Sequence, residues 1–232
     1  MAEKEKPAKN IHSGHRERLK KRALQEGLDQ FDDHQVLELL LFYAIPYRDT
    51  NELAHRLIQQ FGGLSGVLDA EYRQLLDVKG VGPNAASFLA LIPQICRSYQ
   101  LSKWGDRLLF DNVYTLGEYC VSLFIGCAYE KFYLLCLDNQ NRLIQAVLVN
   151  EGTINEVSVY PRLVVEKALA YKANSVVLSH NHPGGSLQAS VGDVKLTKRL
   201  VTVLNEINIS VTDHIIVSGN RYISLAAKGM MF

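Results

Sequence analysis

The apolar positions change their period along the chain. From about Gly14 to Tyr99 they recur at helical spacing: Leu37, Leu40, Leu41 and Ala44 make one stripe, and Leu53, Leu57 and Phe61 another. Such stripes predict amphipathic helices, and Gly62-Gly63 stops the second one. The run Leu75-Leu76-Asp77-Val78-Lys79-Gly80-Val81-Gly82-Pro83-Asn84-Ala85-Ala86 then reads as a short helix, a Gly-x-Gly turn and a second helix with proline at its first position. This is a helix-hairpin-helix pattern, and its glycines permit tight backbone geometry.

From Thr115 onward the pattern alternates. A helix is predicted over roughly Leu116 to Ile125, then a strand over Phe132 to Leu137. Asp138-Asn139-Gln140-Asn141 supplies a hairpin turn, and a second strand runs from Arg142 to Asn150. Pro161 opens a helix carrying Val165, Ala168 and Leu169 on one side. The β-branched run Val176-Val177-Leu178 predicts a buried strand. Val194, Leu196, Leu200, Val203, Leu204 and Ile207 then mark another helical face, and a strand pair closes the chain around Gly219-Asn220. Helices alternating with strands predict an α/β fold. The expected organisation is a basic arm at residues 1–13, a small all-α domain at 14–99, a connection at 100–114, and an α/β domain at 115–232. Trp104 is expected to anchor the connection by packing.

The candidate chemistry sits where the buried strand ends. Residues two apart on a strand face the same side, so His180 and His182 can address one metal ion. Pro183-Gly184-Gly185 breaks the strand, and Asp193 falls in the first turn of the following helix, where a carboxylate also suits the helix dipole. Two imidazoles and a carboxylate leave a tetrahedral position open, as catalytic zinc sites require. Ser190-x-x-Asp193 reads equally as a capping-box-like helix start. His214, before the strand Ile215-Ile216-Val217, reads as a structural histidine in a turn, with the role of hydrogen-bonded partner to a ligand histidine as the alternative. His12, His15, His34 and His55 lack metal-ligand spacing.

His180 and His182, seven intervening residues, Ser190, two more and Asp193 give H-x-H-x7-S-x2-D, which resembles the signature of the JAB1/MPN (JAMM) metalloproteases. His-Asn-His-Pro, with Gly152-Thr153-Ile154-Asn155 and Tyr160-Pro161-Arg162 before it and Asp213-His214-Ile215-Ile216 after it, resembles the RadC family (UPF0758) over nearly the whole chain. Gly184-Gly185 stands where Ser-Gly is usual, and Ala189 where proline is usual. The resemblance implies a JAB1/MPN-like mixed-sheet sandwich following the helical domain, and one zinc ion held by His180, His182 and Asp193. It implies a glutamate as general base, for which Glu130 is the matching position, and Ser190 as the group that steadies an oxyanion. Glu130 also reads as an exposed charge at a strand start. Glu151 and Glu156 are weaker candidates in another segment. The implied substrate is a peptide or isopeptide amide.

Composition narrows the picture further. The net charge is +1, so no global attraction to nucleic acid or membrane is implied. Charge is nonetheless uneven: residues 1–22 hold Lys4, Lys6, Lys9, Arg16, Arg18, Lys20, Lys21 and Arg22 against Glu3, Glu5 and Glu17. Such a run is a solvated tail or a phosphate-contacting arm. Together with the hairpin residues Lys79, Gly80 and Gly82, whose exposed amides can meet a phosphate, it points to non-specific DNA. Cys96, Cys120, Cys127 and Cys136 lack paired metal spacing and fit reduced thiols in the cytoplasm. The apolar run Val36 to Ile45 is short and interrupted by Glu38, so no membrane span is expected. Three functions follow: a zinc-dependent, metallopeptidase-like hydrolase with a DNA repair or recombination role, a DNA-binding accessory or scaffold without turnover, and a metal-dependent nuclease. Oligomeric state is open.

Overall fold

A computed structural model describes residues 14–152 and 159–231. The chain divides into two compact units, Met1–Ile92 and Pro93–Phe232. The first is helical: α1 (His15–Glu26), α2 (Asp33–Ala44), α3 (Asn51–Phe61), α4 (Leu64–Leu68), α5 (Tyr72–Leu76) and the start of α6 (Pro83–Ser102). Its core gathers Leu37 and Leu41 of α2, Leu53 and Leu57 of α3, Leu75 of α5 and Leu89 of α6. α3 ends at Gly62, whose φ of 81° is the left-handed geometry that caps a helix. The division between the units falls inside α6 at Pro93, where the ring removes a helical N–H donor.

The second unit is α/β, as the alternating pattern predicts. It continues with α7 (Val113–Leu123), β1 (Glu130–Leu137), β2 (Leu143–Gly152), α8 (Pro161–Ala170), β3 (Ser175–Asn181), α9 (Val191–Asn205), β4 (Ser210–Ser218) and β5 (Arg221–Ser224). The helix expected over Leu116 to Ile125 thus begins earlier, because Asn112 caps it by accepting the Thr115 N–H. Ile207, read from its spacing as part of a helical face, lies beyond the end of α9 and is exposed. Phe110 is buried beside α7, and the Trp104 Nε1–H donates to Ser122 Oγ while its ring meets Tyr119 edge-on.

The five-stranded sheet runs β2-β1-β3-β4-β5. Among the described strands only β3 and β4 run parallel, and α9 connects them. The two-residue side-chain period sorts the sheet into two faces. Phe132, Leu134, Cys136, Val176, Leu178 and Ile216 pack with Val164 and Ala168 of α8 and with Leu200 and Leu204 of α9. Leu135, Leu137, Val177, Ile215 and Val217 pack instead with Leu116, Tyr119 and Cys120 of α7. β3 is buried along its whole length, which explains its unbroken apolar run. Among the described residues, no helix is long and apolar enough to cross a membrane.

Leu134 and Leu178 face each other across β1 and β3 and are fully buried. Leu178→Ala removes three buried carbons from the layer that carries the histidine strand, so unfolding in urea should show a loss of about 2–5 kcal/mol. A midpoint equal to that of the unaltered chain would contradict this packing.

Candidate metal centre

His180 has the same parity as Val176 and Leu178, so its ring lies on the α9 side of the sheet. His182 follows just past β3, where two contacts extend the strand geometry. Its N–H donates to Val217 O at 2.7 Å, and its carbonyl accepts from Ser218 Oγ at 2.9 Å. The two Nε2 atoms come within 2.9 Å of each other. Asp193 enters from the first turn of α9, with Oδ1 3.2 Å from His180 Nε2 and Oδ2 3.6 Å from His182 Nε2. The capping box is also present. Ser190 Oγ accepts the Asp193 N–H at 3.0 Å, and Asp193 Oδ2 accepts the Ser190 N–H at 2.7 Å. The helix start therefore fixes the carboxylate that faces the imidazoles, so the capping role of Ser190-x-x-Asp193 is compatible with the ligand role.

The donor set suits a cation. His182 Nδ1 lies 3.0 Å from Ser186 O. A carbonyl only accepts, so Nδ1 carries the hydrogen and Nε2 is the atom left to face Asp193. The hydrogen bond to Asp193 raises the His182 pKa, with burial opposing and Ser186 assisting. Burial works against ionisation of Asp193, but its hydrogen bonds with His180, His182 and Ser190 outweigh that and hold its carboxyl well below the usual carboxylate range. Each shift favours positive charge in the shared space, which a proton or a metal ion can supply. His180 is 1% exposed, so its ring nitrogens depend on partners within the protein or on a bound ion.

Glu130 joins this cluster. Its carboxylate oxygen and the His180 and His182 nitrogens all lie within 4.8 Å of one another. Strand register explains this. Phe132 pairs with His180 at the end of the antiparallel ladder, and Glu130, two residues earlier on β1, shares the Phe132 face and so comes to the same end as His182. Asn181 secures that register. Its Oδ1 accepts the Lys131 N–H at 2.7 Å, and its Nδ2 donates to Tyr129 O at 3.0 Å. One buried amide thus grips the chain on both sides of Glu130. Glu151 pairs with Lys131 Nζ at 3.1 Å instead, and Glu156 lies outside the described residues.

His214 corrects the sequence expectation of a histidine in a turn. It lies within β4, fully buried, with Nε2 2.8 Å from His180 Nδ1 and Nδ1 2.6 Å from Thr197 Oγ1. Burial first, and then the nearby His180 ring, push its pKa well below that of an ordinary histidine. The turn expectation failed because β4 begins at Ser210 and pairs with β3 through this position. Thr197, one turn past Asp193, carried no motif and was missed. Its position four residues after Asp193 was the available signal.

Lys79, Gly80 and Gly82 belong to the other unit, in the turn between α5 and α6. Gly80 has φ 103°, and a Cβ at Gly82 would meet nothing within 4 Å. Arg56 Nη1 donates to Lys79 O at 2.5 Å, which adds a second basic side chain to the turn. From the basic run, the Arg16 guanidinium donates to Ile45 O at 2.6 Å and Pro46 O at 2.7 Å, and so completes the carbonyl end of α2. Lys4, Lys6, Lys9 and His12 lie outside the described residues. His15 contacts Glu38, and His34 stacks on His55.

Comparison with known proteins adds two findings. A family model described as RadC-like JAB domain matches residues 110–230. A UPF0758 protein of Variovorax paradoxus (strain S110) is 39% identical over 234 residues, covering 100% of each chain.

The Asn181 grip makes a measurable prediction. In Asn181→Ala the Lys131 amide loses its acceptor, and its hydrogen exchange should accelerate by about five- to tenfold, as loss of a net ~1–1.5 kcal/mol hydrogen bond implies. Unchanged protection at Lys131 would mean that the ladder holds Glu130 without the amide.

Proposed function

The chain belongs to the RadC (UPF0758) family, and on that premise we propose that its α/β unit is a zinc-dependent hydrolase of metallopeptidase type. His180, His182 and Asp193 hold one zinc ion in this reading. The observation that carries it is the convergence of two imidazole nitrogens and a carboxylate at 2.9–3.6 Å, with a second carboxylate beside them. A zinc ion in such a set supplies Lewis acidity and brings the pKa of its water toward neutrality.

The remaining chemistry belongs to the side chains. Glu130, at the start of β1, takes a proton from the attacking water onto its carboxylate and returns it to the leaving nitrogen. Ser190 Oγ already accepts the Asp193 N–H, which leaves its hydroxyl hydrogen to donate to the carbonyl oxygen where negative charge develops. Asn181 keeps Glu130 in reach of that proton by holding Tyr129 and Lys131. By analogy with the JAMM proteases, the bond cut is an amide in a peptide or isopeptide.

A second reading concerns the helical unit. We propose that the hairpin carrying Lys79, Gly80 and Gly82 contacts the DNA backbone without sequence preference, which would bring the hydrolase to sites of repair or recombination. The open backbone at Gly82 and the joining of Arg56 to Lys79 support it.

Two measurements test these readings. Metal analysis after expression with zinc should find about one zinc per chain, and Asp193→Ala or His182→Ala should lose it. Glu130→Gln should keep the zinc and lose cleavage of a mixed peptide and isopeptide library. A wild-type chain that takes up no zinc contradicts the proposal. For the hairpin, Lys79→Glu with Arg56→Glu should weaken binding to duplex DNA and lower the salt slope by roughly two. An unchanged slope assigns the hairpin to packing.

A further inference from the structure

We propose that Thr197 and His214 form an ordered hydrogen-bond chain that presents the Nε2 atom of His180 to the metal position, making Thr197 a positioning residue although it touches no ligand side chain. The proposal rests on the zinc reading above for its consequence, and on this geometry alone for its existence.

The direction of the chain follows from its first link. Thr197 Oγ1 lies 2.5 Å from the carbonyl oxygen of Asp193, one turn earlier in α9, and 2.6 Å from His214 Nδ1. The carbonyl has no hydrogen to give, so the single hydroxyl hydrogen goes to it. Were that hydrogen turned to His214, two oxygens would face each other at 2.5 Å with nothing between them. The Thr197 oxygen therefore accepts, and His214 donates from Nδ1. The His214 ring is fully buried, with a hydroxyl at one nitrogen and an imidazole at the other. A charged ring in that setting lacks a carboxylate to pair with, so the ring is neutral and its Nε2 is bare.

The second link follows from the first. His214 Nε2 is 2.8 Å from His180 Nδ1, so His180 donates there. Its Nε2 is then the nitrogen available to a ligand, and it is the atom 3.2 Å from Asp193 Oδ1. The chain starts on the backbone of Asp193 and returns to its side chain. Phe132 closes the other side, with its ring nearly parallel to His180 at 6.1 Å and inclined to His214 at 5.8 Å. Without the hydroxyl, His214 is free to place its hydrogen on Nε2. That hydrogen would go to His180 Nδ1 and leave a neutral His180 with Nε2–H aimed at the metal position, where it cannot ligate.

Thr197→Val removes the hydroxyl at nearly constant volume, and Thr197→Ser keeps it. Long-range proton–nitrogen spectra of the metal-free full chain read the hydrogen on each imidazole nitrogen. Chelator competition reads zinc affinity, and circular dichroism melting separates folding from both. Wild type and Thr197→Ser should show hydrogen on Nδ1 of His214 and of His180, with Nε2 of His214 bare. Thr197→Val should move the His214 hydrogen toward Nε2 and weaken zinc binding by roughly 10–100-fold, the usual effect of losing such support. If Thr197→Val does not fold, Thr197→Ala serves, since it removes the same hydroxyl without placing a methyl against the Asp193 carbonyl. The proposal is overturned if wild type carries the His214 hydrogen on Nε2, or if Thr197→Val, or Thr197→Ala in its place, changes neither tautomer nor affinity. A wild type that binds no zinc would refute the zinc reading, while the spectra would still decide the chain.

Discussion

Everything at the candidate metal centre depends on which face of one buried strand the side chains take. β3 presents Val176 and Leu178 to α9, and the same two-residue period carries His180 and then His182 to that side. A slip of one residue would turn both imidazoles toward α7 and put Asn181 on the α9 side. The apolar residues forbid that slip, because Val177 packs with Leu116 and Tyr119 on the opposite face. Core packing and ligand placement are one constraint.

Two further devices refine the placement. The capping box at Ser190 and Asp193 gives the carboxylate a fixed approach, since one of its oxygens is tied to the backbone of the helix start. Asn181, on the face away from the ligands, ties the start of β1 to the end of β3. The residue between the two histidines thus holds the segment carrying the glutamate, while the histidines themselves face Asp193. Two buried polar groups of β4 find their partners inside the protein: His214 in Thr197 and His180, and Asp213 in Ser224 Oγ and the N–H groups of His214 and Ala226. Such a network holds its rings in one orientation, since leaving any member unpaired in the interior costs about 1–3 kcal/mol.

The parts of this site that were legible in the sequence have local signatures. A β-branched run ending in His-x-His announces its own face, and Ser-x-x-Asp before an apolar stripe announces a helix start. The helical stripes of the first unit and the hairpin turn at Asp138 to Asn141 are local in the same way. Glu130 was legible only through family resemblance, because its approach to the histidines is set by the register of β1 on β3, a pairing of residues about fifty positions apart. Thr197 and His214 were not legible as partners. They sit 17 positions apart and meet only because α9 packs over β4. The turn expected at His214 gives way to strand, because β4 pairs in parallel with β3 through Asp213 and His214.

The central claim is that two imidazoles and a carboxylate of the α/β unit, and none of the four cysteines, hold the zinc ion. X-ray absorption at the zinc edge of the loaded full-length protein tests it most directly. The account predicts a shell of nitrogen and oxygen at about 2.0–2.1 Å with the outer scattering of two imidazole rings. A sulfur shell at about 2.3 Å, or a first shell without imidazole scattering, would contradict it.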